Sequence, residues 1–217
     1  MPLFKETFNA ETLLTGTLNL KAFRGALRAI NSMAGEQLHP YPPEFKENEI
    51  LESFESYADT TEMRVVWQSS ATSVLSLDAT GQSGNCLKNA GTGSADWTRR
   101  ATPGGSADWT EFNSLTFYVK SDKNRTSATG FKVRLETTST NYSQWDFNIH
   151  ASNGTWALRT LDLSSTPDNT NGTGADLSNI TYVRFETLNR FNMPIYFDEI
   201  NLIAPDNELI LNISSSV

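Results

Sequence analysis

Four short segments alternate apolar residues with residues that carry charge or hydrogen-bond. In Phe131-Lys132-Val133-Arg134-Leu135-Glu136 the polar set is Lys132, Arg134 and Glu136. In Gln144-Trp145-Asp146-Phe147-Asn148-Ile149 it is Gln144, Asp146 and Asn148. In Tyr182-Val183-Arg184-Phe185-Glu186 it is Tyr182, Arg184 and Glu186, and in Leu115-Thr116-Phe117-Tyr118-Val119-Lys120 it is Thr116, Tyr118 and Lys120. A period of two puts each set on one face of a strand. If the four strands are neighbours, they present a mosaic of guanidinium, carboxylate and amide groups with Tyr118 and Tyr182 as its only rings. Such a face suits non-covalent recognition of a polar ligand. Cross-strand pairs such as Arg134 with Asp146, or Glu186 with Lys132, would equally serve as ordinary ion pairs on a sheet surface.

Covalent chemistry has little to work with. The two histidines, His39 and His150, lack a serine, cysteine or metal-ligand arrangement at useful spacing. The chain has no phosphate-cradling glycine loop, no dinucleotide fingerprint and no paired-histidine metalloprotease motif. Acidic residues are plentiful, yet nothing selects the one protonated and one ionised carboxyl that glycoside hydrolysis needs. The chain therefore reads as non-enzymatic. Cys86 is the sole cysteine, so no internal disulfide forms, and its segment places it in a core.

The 217 residues carry a formal charge of −8. No basic stripe is present to meet phosphates, which argues against nucleic acid and against an anionic membrane surface. No run approaches the roughly 20 apolar residues that span a bilayer. The N-terminus lacks a basic-then-apolar signal pattern, so a protein made in a cytoplasm and not exported by the usual route is expected.

These faces need strands to carry them. Residues 1–48 have a helical period: Leu20, Phe23, Leu27, Ile30 and Met33 form one stripe of a helix over about 18–34, with Lys21, Arg24 and Arg28 off it. His39-Pro40-Tyr41-Pro42-Pro43 then reads as a stiff extended linker. With Phe4 and Phe8 ahead of it, the arm offers an adhesive apolar surface that must bury itself on the body or on a neighbouring subunit. From Glu49 the period becomes two. Strands are predicted near 49–57, 64–70, 73–79, 86–90, 113–121, 130–138, 143–150, 155–163, 180–188 and 194–203, with no helix between. That pattern gives an all-β fold, a two-sheet antiparallel β-sandwich over 49–204 with the helical arm in front. Residues 205–217 contain a last apolar strand able to extend a sheet edge of this chain or of a partner.

One repeat interrupts the pattern. Gly93-Ser94-Ala95-Asp96-Trp97-Thr98 recurs as Gly105-Ser106-Ala107-Asp108-Trp109-Thr110, with Thr102-Pro103-Gly104-Gly105 as a hairpin tip between the copies. Trp97 and Trp109 either fold back beneath that loop or meet a partner or a sugar. Trp67, Trp145 and Trp156 fall on core or rim positions.

Two phrases bracket the β region: Ile50-Leu51-Glu52-Ser53-Phe54-Glu55-Ser56-Tyr57-Ala58-Asp59 and Ile195-Tyr196-Phe197-Asp198-Glu199-Ile200-Asn201-Leu202-Ile203. Between them come Trp67, Ser83-Gly84 and a Trp156 strand. Over about residues 49–203 this order resembles the carbohydrate-binding-module type of β-sandwich, the galactose-binding-like jelly roll, in its family 11 and CIA30-like branches. The resemblance implies sugar binding on the concave face of one sheet, with Tyr118, Arg134, Asp146, Tyr182 and Arg184 as candidates. It also implies a structural calcium where first and last strands meet, held by Glu55, Asp59 and Asp198. Those carboxylates could instead be solvated or cap turns, and Asp198-Glu199 departs from the family's two closing aspartates.

On these grounds the expected role is a non-enzymatic virion component, a bacteriophage capsid decoration (cement) or tail-associated subunit made in the host cytoplasm. It would bind shell or tail subunits through Phe4, Phe8, Leu20, Phe23, Leu27, Ile30, Trp97 and Trp109, as a homo-oligomer with a trimer favoured. The alternative is a glycan-binding module that recognises a polysaccharide on the sandwich face.

Overall fold

The computed structural model describes residues 46–90, 95–121, 131–147, 154–188 and 194–205, all within the compact unit that begins at Lys46. The arm helix over 18–34, its companions Phe4, Phe8, Leu20, Phe23, Leu27 and Ile30, and the tail strand beyond Pro205 lie outside the described residues. The elements are β1 (Glu49–Glu52), α1 (Thr60–Val66), β2 (Trp67–Ser69), β3 (Leu75–Asp78), β4 (Cys86–Asn89), β5 (Ala95–Ala101) and β6 (Ser114–Ser121). They continue with β7 (Phe131–Glu136), β8 (Tyr142–Phe147), β9 (Ala157–Asp162), β10 (Asn169–Asn171), β11 (Tyr182–Leu188) and β12 (Ile195–Ile203).

Two antiparallel sheets form the sandwich. The first runs β3-β4-β12-β6-β9, with β1 also paired to β12. The second runs β10-β8-β7-β11-β5-β2. The bracketing phrases are partners: Ile50 opposes Asn201 and Glu49 opposes Leu202. On one flank β12 pairs with β4 through Ile195, Tyr196 and Phe197 and with β1 nearer its end. On its other flank β12 pairs with β6 and bulges between Asp198 and Asn201, with Glu199 at φ 44.

Rings from both sheets join the layers. Phe117 (β6) and Phe197 (β12) meet Phe131 (β7) and Phe185 (β11); Phe185 and Phe197 centroids are 4.5 Å apart and Phe117 and Phe185 5.2 Å. All four are fully buried, and each such ring adds large apolar area to the core. Because Phe131, Val133, Leu135, Val183 and Phe185 point inward, their alternate neighbours must face out. Cys86 is buried, and desolvation pushes its thiol up to about 12.

Three readings are corrected. Residues 60–66, expected as a connection to 63 and strand from 64, form α1, because Asp59 accepts from the amides of Thr61 and Glu62 while Glu62 Oε2 takes the Ala58 amide. These bonds satisfy the free N–H groups of a helix start. The segment expected as a Trp-bearing hairpin splits instead. Its first copy is β5, paired with β11 and β2, and its second leaves the sheet after a short 3-10 turn at Pro103–Gly105. Finally, β1 stops at Glu52, and β10 is an added edge strand.

Candidate functional site

Register builds an ordered outer face on the second sheet. Asn169 opposes Gln144, which opposes Arg134; Arg134 opposes Arg184, Arg184 opposes Arg99 and Arg99 opposes Gln68. Six strands thus contribute one crosswise row of guanidinium and amide groups. A parallel row runs Asp146, Lys132, Glu186, Trp97. On the other side lies Asn171, Tyr142, Glu136, Tyr182, Ala101.

Carboxylates from the outer rows knit the arginines together. Glu136 takes Arg99 at 3.4 Å and Arg184 at 3.5 Å. Glu186 takes Arg184 at 2.8 Å and Arg134 at 3.3 Å. At the ends, Arg99 Nε donates to Gln68 Oε1 at 3.0 Å and Arg134 Nε to Gln144 Oε1 at 2.8 Å. Gln144 Nε2 donates on to Asp146 Oδ1 at 3.0 Å. The result is a continuous polar chain from β2 to β8. Its side chains are held in place, so little conformational freedom remains to be lost when a ligand arrives.

Three rings stand among these groups. The Arg99 guanidinium lies 4.0 Å from the Tyr182 ring centre and Arg134 4.3 Å from that of Tyr142. Arg184 lies 4.7 Å from Trp97. Burial pulls the Arg184 guanidinium below its usual value, and the nearby Arg134 charge acts in the same direction against Glu186 and Glu136. A face of this kind can hydrogen-bond many hydroxyls at once and stack flat apolar surfaces on its rings.

Of the five sequence candidates, Arg134, Asp146, Tyr182 and Arg184 share this face. Tyr118 does not. It lies on β6 in the first sheet, opposite Asp198 and Leu158, because the chain crosses to the other sheet between β6 and β7. Trp97, half-buried, belongs to the face, whereas Trp109 is 1% exposed and packs in the core, so it is no partner anchor. Sequence reasoning missed Arg99, Gln68 and Tyr142. The alternation Trp97, Arg99 and Ala101 was the available signal, masked by the repeat that suggested a loop.

The calcium candidates meet only in part. Asp198 Oδ2 accepts from Gln82 N at 2.7 Å and Ser83 N at 3.3 Å, and its Oδ1 from Glu199 N at 2.8 Å. Glu55 Oε1 accepts from Asn85 N at 2.7 Å on the same loop. Asp59 stands apart as the cap of α1. A Cβ added to Gly81 would lie 2.8 Å from Asp198 Oδ2, Gly84 O and Asn85 O. Among the described residues no cluster of three or more His, Cys, Asp or Glu forms a metal site. The loop's amide groups bond these carboxylates. Burial raises the Asp198 carboxyl from its ordinary value, opposed by the Ser83, Glu199 and Gln82 amides.

No protein-family profile matches the chain, and no curated protein matches it significantly. Solved structures do. The family 11 carbohydrate-binding module of Clostridium thermocellum, in complex with a β-1,3-1,4-mixed-linked tetrasaccharide, is 20% identical with a TM-score of 0.52. The match covers 72% of this chain and 95% of the module. The family 30 module of the Clostridium thermocellum cellulosomal cellulase Cel9D-Cel44B is 14% identical, TM-score 0.52, over 75% of this chain and 100% of the module. An exo-β-agarase is 15% identical with a TM-score of 0.55, but the match spans only 25% of that enzyme's chain. At these identities the likeness establishes the fold: a carbohydrate-binding-module-like β-sandwich.

Proposed function

We propose that this chain is a non-catalytic glycan-binding module, and that a polysaccharide lies across the outer face of the β10–β2 sheet. The observation that carries the reading is the unbroken polar chain from Gln68 to Asp146 with Trp97, Tyr142 and Tyr182 set into it. Sugars offer flat apolar faces to rings and hydroxyls to fixed donors and acceptors, and both halves are present here. The fold supports it as well, since the matches that span nearly whole chains are binding modules. The expected capsid or tail role rested on the acidic charge, the thin catalytic and export signals and the adhesive arm and tail; the arm and tail lie outside the described residues, and none of the matches above concerns a virion.

The test is affinity electrophoresis of the full chain in gels containing soluble polysaccharides, with Trp97→Ala as control. Retardation by at least one polymer that weakens in the variant is expected. Unaltered migration in a broad panel of neutral and acidic polymers would overturn the assignment.

A further inference from the structure

Three guanidiniums stand side by side on adjacent strands. Arg184 is the register partner of Arg134 on one flank and of Arg99 on the other, and neighbouring strands are only about 4.8 Å apart. Like charges set opposite each other destabilise a sheet unless something neutralises them. Among the described residues two carboxylates contact the three, Glu136 and Glu186, each shared between two arginines. One positive charge is left over in the row. In addition, Arg184 Nε is buried with no hydrogen-bond partner. A buried donor left so is uncommon in folded proteins and calls for an unseen partner such as a water or an ion.

We propose that the Arg99–Arg184–Arg134 row selects an acidic glycan, by receiving a carboxylate or sulfate group carried on the sugar. The inference rests on the glycan reading above and narrows it. A planar guanidinium fork fits either anion through paired N–H bonds, as a neutral hydroxyl cannot. The flanking rows hold Glu136, Glu186 and Asp146, with Lys132 paired between the last two, so on balance they stay negative and disfavour further anions. The ligand therefore carries its anions along a single line, with hydroxyls beside them for the exposed Asp146 to accept from. Strand geometry puts successive outward rows about 7 Å apart, so a polymer lying across the strands would meet arginine along its axis and acid at its edges.

The experiment is calorimetric titration of the full chain with three oligosaccharide probes: an oligogalacturonate, a sulfated galactan fragment and a neutral mixed-linkage β-glucan. At least one acidic probe is expected to bind about tenfold or more tightly than the neutral one, the worth of one charged hydrogen bond. The two acidic arms separate carboxylate from sulfate recognition. Arg99→Gln and Arg184→Gln should each remove most of that advantage. Glu186→Gln should instead strengthen acidic binding, because it releases Arg134 and Arg184; a merely structural ion pair would not behave so. Circular dichroism checks folding, and if Arg184→Gln fails to fold, the more exposed Arg99 carries the comparison. Neutral binding equal to both acidic arms, or Glu186→Gln weakening acidic binding, overturns the inference while leaving the glycan reading intact. Binding of no probe overturns the inference, and the glycan reading falls with it only if the polysaccharide panel also leaves migration unaltered.

Discussion

Glu52 Oε2 lies 3.1 Å from Arg100 Nε, joining residues 48 positions apart and tying the end of β1 to the second sheet. The same carboxylate accepts from Tyr57 OH at 2.6 Å, from Trp67 Nε1 at 3.1 Å and, through Oε1, from the Phe54 amide at 2.9 Å. Glu52 is 5% exposed. It is thus the centre of a buried polar cluster, and the proximity of its carboxylate helps keep the Tyr57 hydroxyl protonated, after desolvation as the larger cause.

Removing one member of such a cluster strands the others. Glu52→Ala leaves a guanidinium, an indole N–H, a phenol and an amide without their acceptor, and should cost about 3–5 kcal/mol. Urea unfolding of the purified variant measures this. Glu52→Gln keeps an acceptor oxygen and should cost less. A loss under about 1 kcal/mol for the alanine variant, the level of an exposed ion pair, would show that the cluster does not hold the two sheets together.

The face makes a sharper demand on its rings. Trp97→Ala, Tyr142→Ala and Tyr182→Ala should each weaken glycan binding, by about 1 kcal/mol or roughly fivefold for a lost stacking contact. Tyr118→Ala, on the other sheet, should leave binding unchanged. Titration with whichever oligosaccharide binds best compares the four. A Tyr118 effect equal to the others would place the ligand elsewhere.

The alternation of apolar and polar residues shows directly in the sequence, and it placed Arg134, Asp146, Tyr182 and Arg184 on a common side. Strand order is not a local property. Tyr118 obeys the same alternation but reaches the opposite sheet, because β6 pairs with β12 and β9. The capping pattern Asp59-Thr60-Thr61-Glu62 was also readable, yet the apolar run Val65-Val66-Trp67 favours strand, and the helix lasts only until Val66. Trp97 and Trp109 share identical neighbours and opposite fates. The first sits in β5 between β11 and β2, while the second is bound through its amide to Leu177 O at 2.7 Å, outside the strand.

Asp59 makes a pH prediction. Bonds from the Glu62 and Thr61 amides hold its carboxyl below the usual carboxylate range. A group lowered in this way contributes stability above its unfolded value, about 3.9 for aspartate, and loses that contribution as pH falls through the folded value. Asp59→Asn keeps a capping oxygen but cannot titrate. The wild type should melt above the variant near neutral pH, and the gap should close as the pH drops below about 4. Thermal melts across this range test it; a constant gap would mean the cap's charge contributes nothing.

The loop from Gly81 to Asn85 gives two glycine substitutions with different expected costs. Gly84 has φ 74, and a Cβ there would fall within 2.8 Å of the Glu55 carboxylate. Glu55 is exposed at the end of a flexible chain and can swing away, giving up its bond to the Asn85 amide. Gly84→Ala should therefore cost chiefly the left-handed backbone term, about 1–2 kcal/mol, and much the same in a Glu55→Ala background. At Gly81 the added carbon would press on Asp198 Oδ2 and on two backbone oxygens, all at 2.8 Å. Asp198 is fully buried and held by three amides, so it cannot retreat. Gly81→Ala should be the more damaging of the two, and an Asp198 substitution should couple to it strongly in a double-mutant cycle. Equal costs at the two glycines, measured by urea unfolding, would mean that Asp198 moves as freely as Glu55 and that the loop is not clamped to the closing strand.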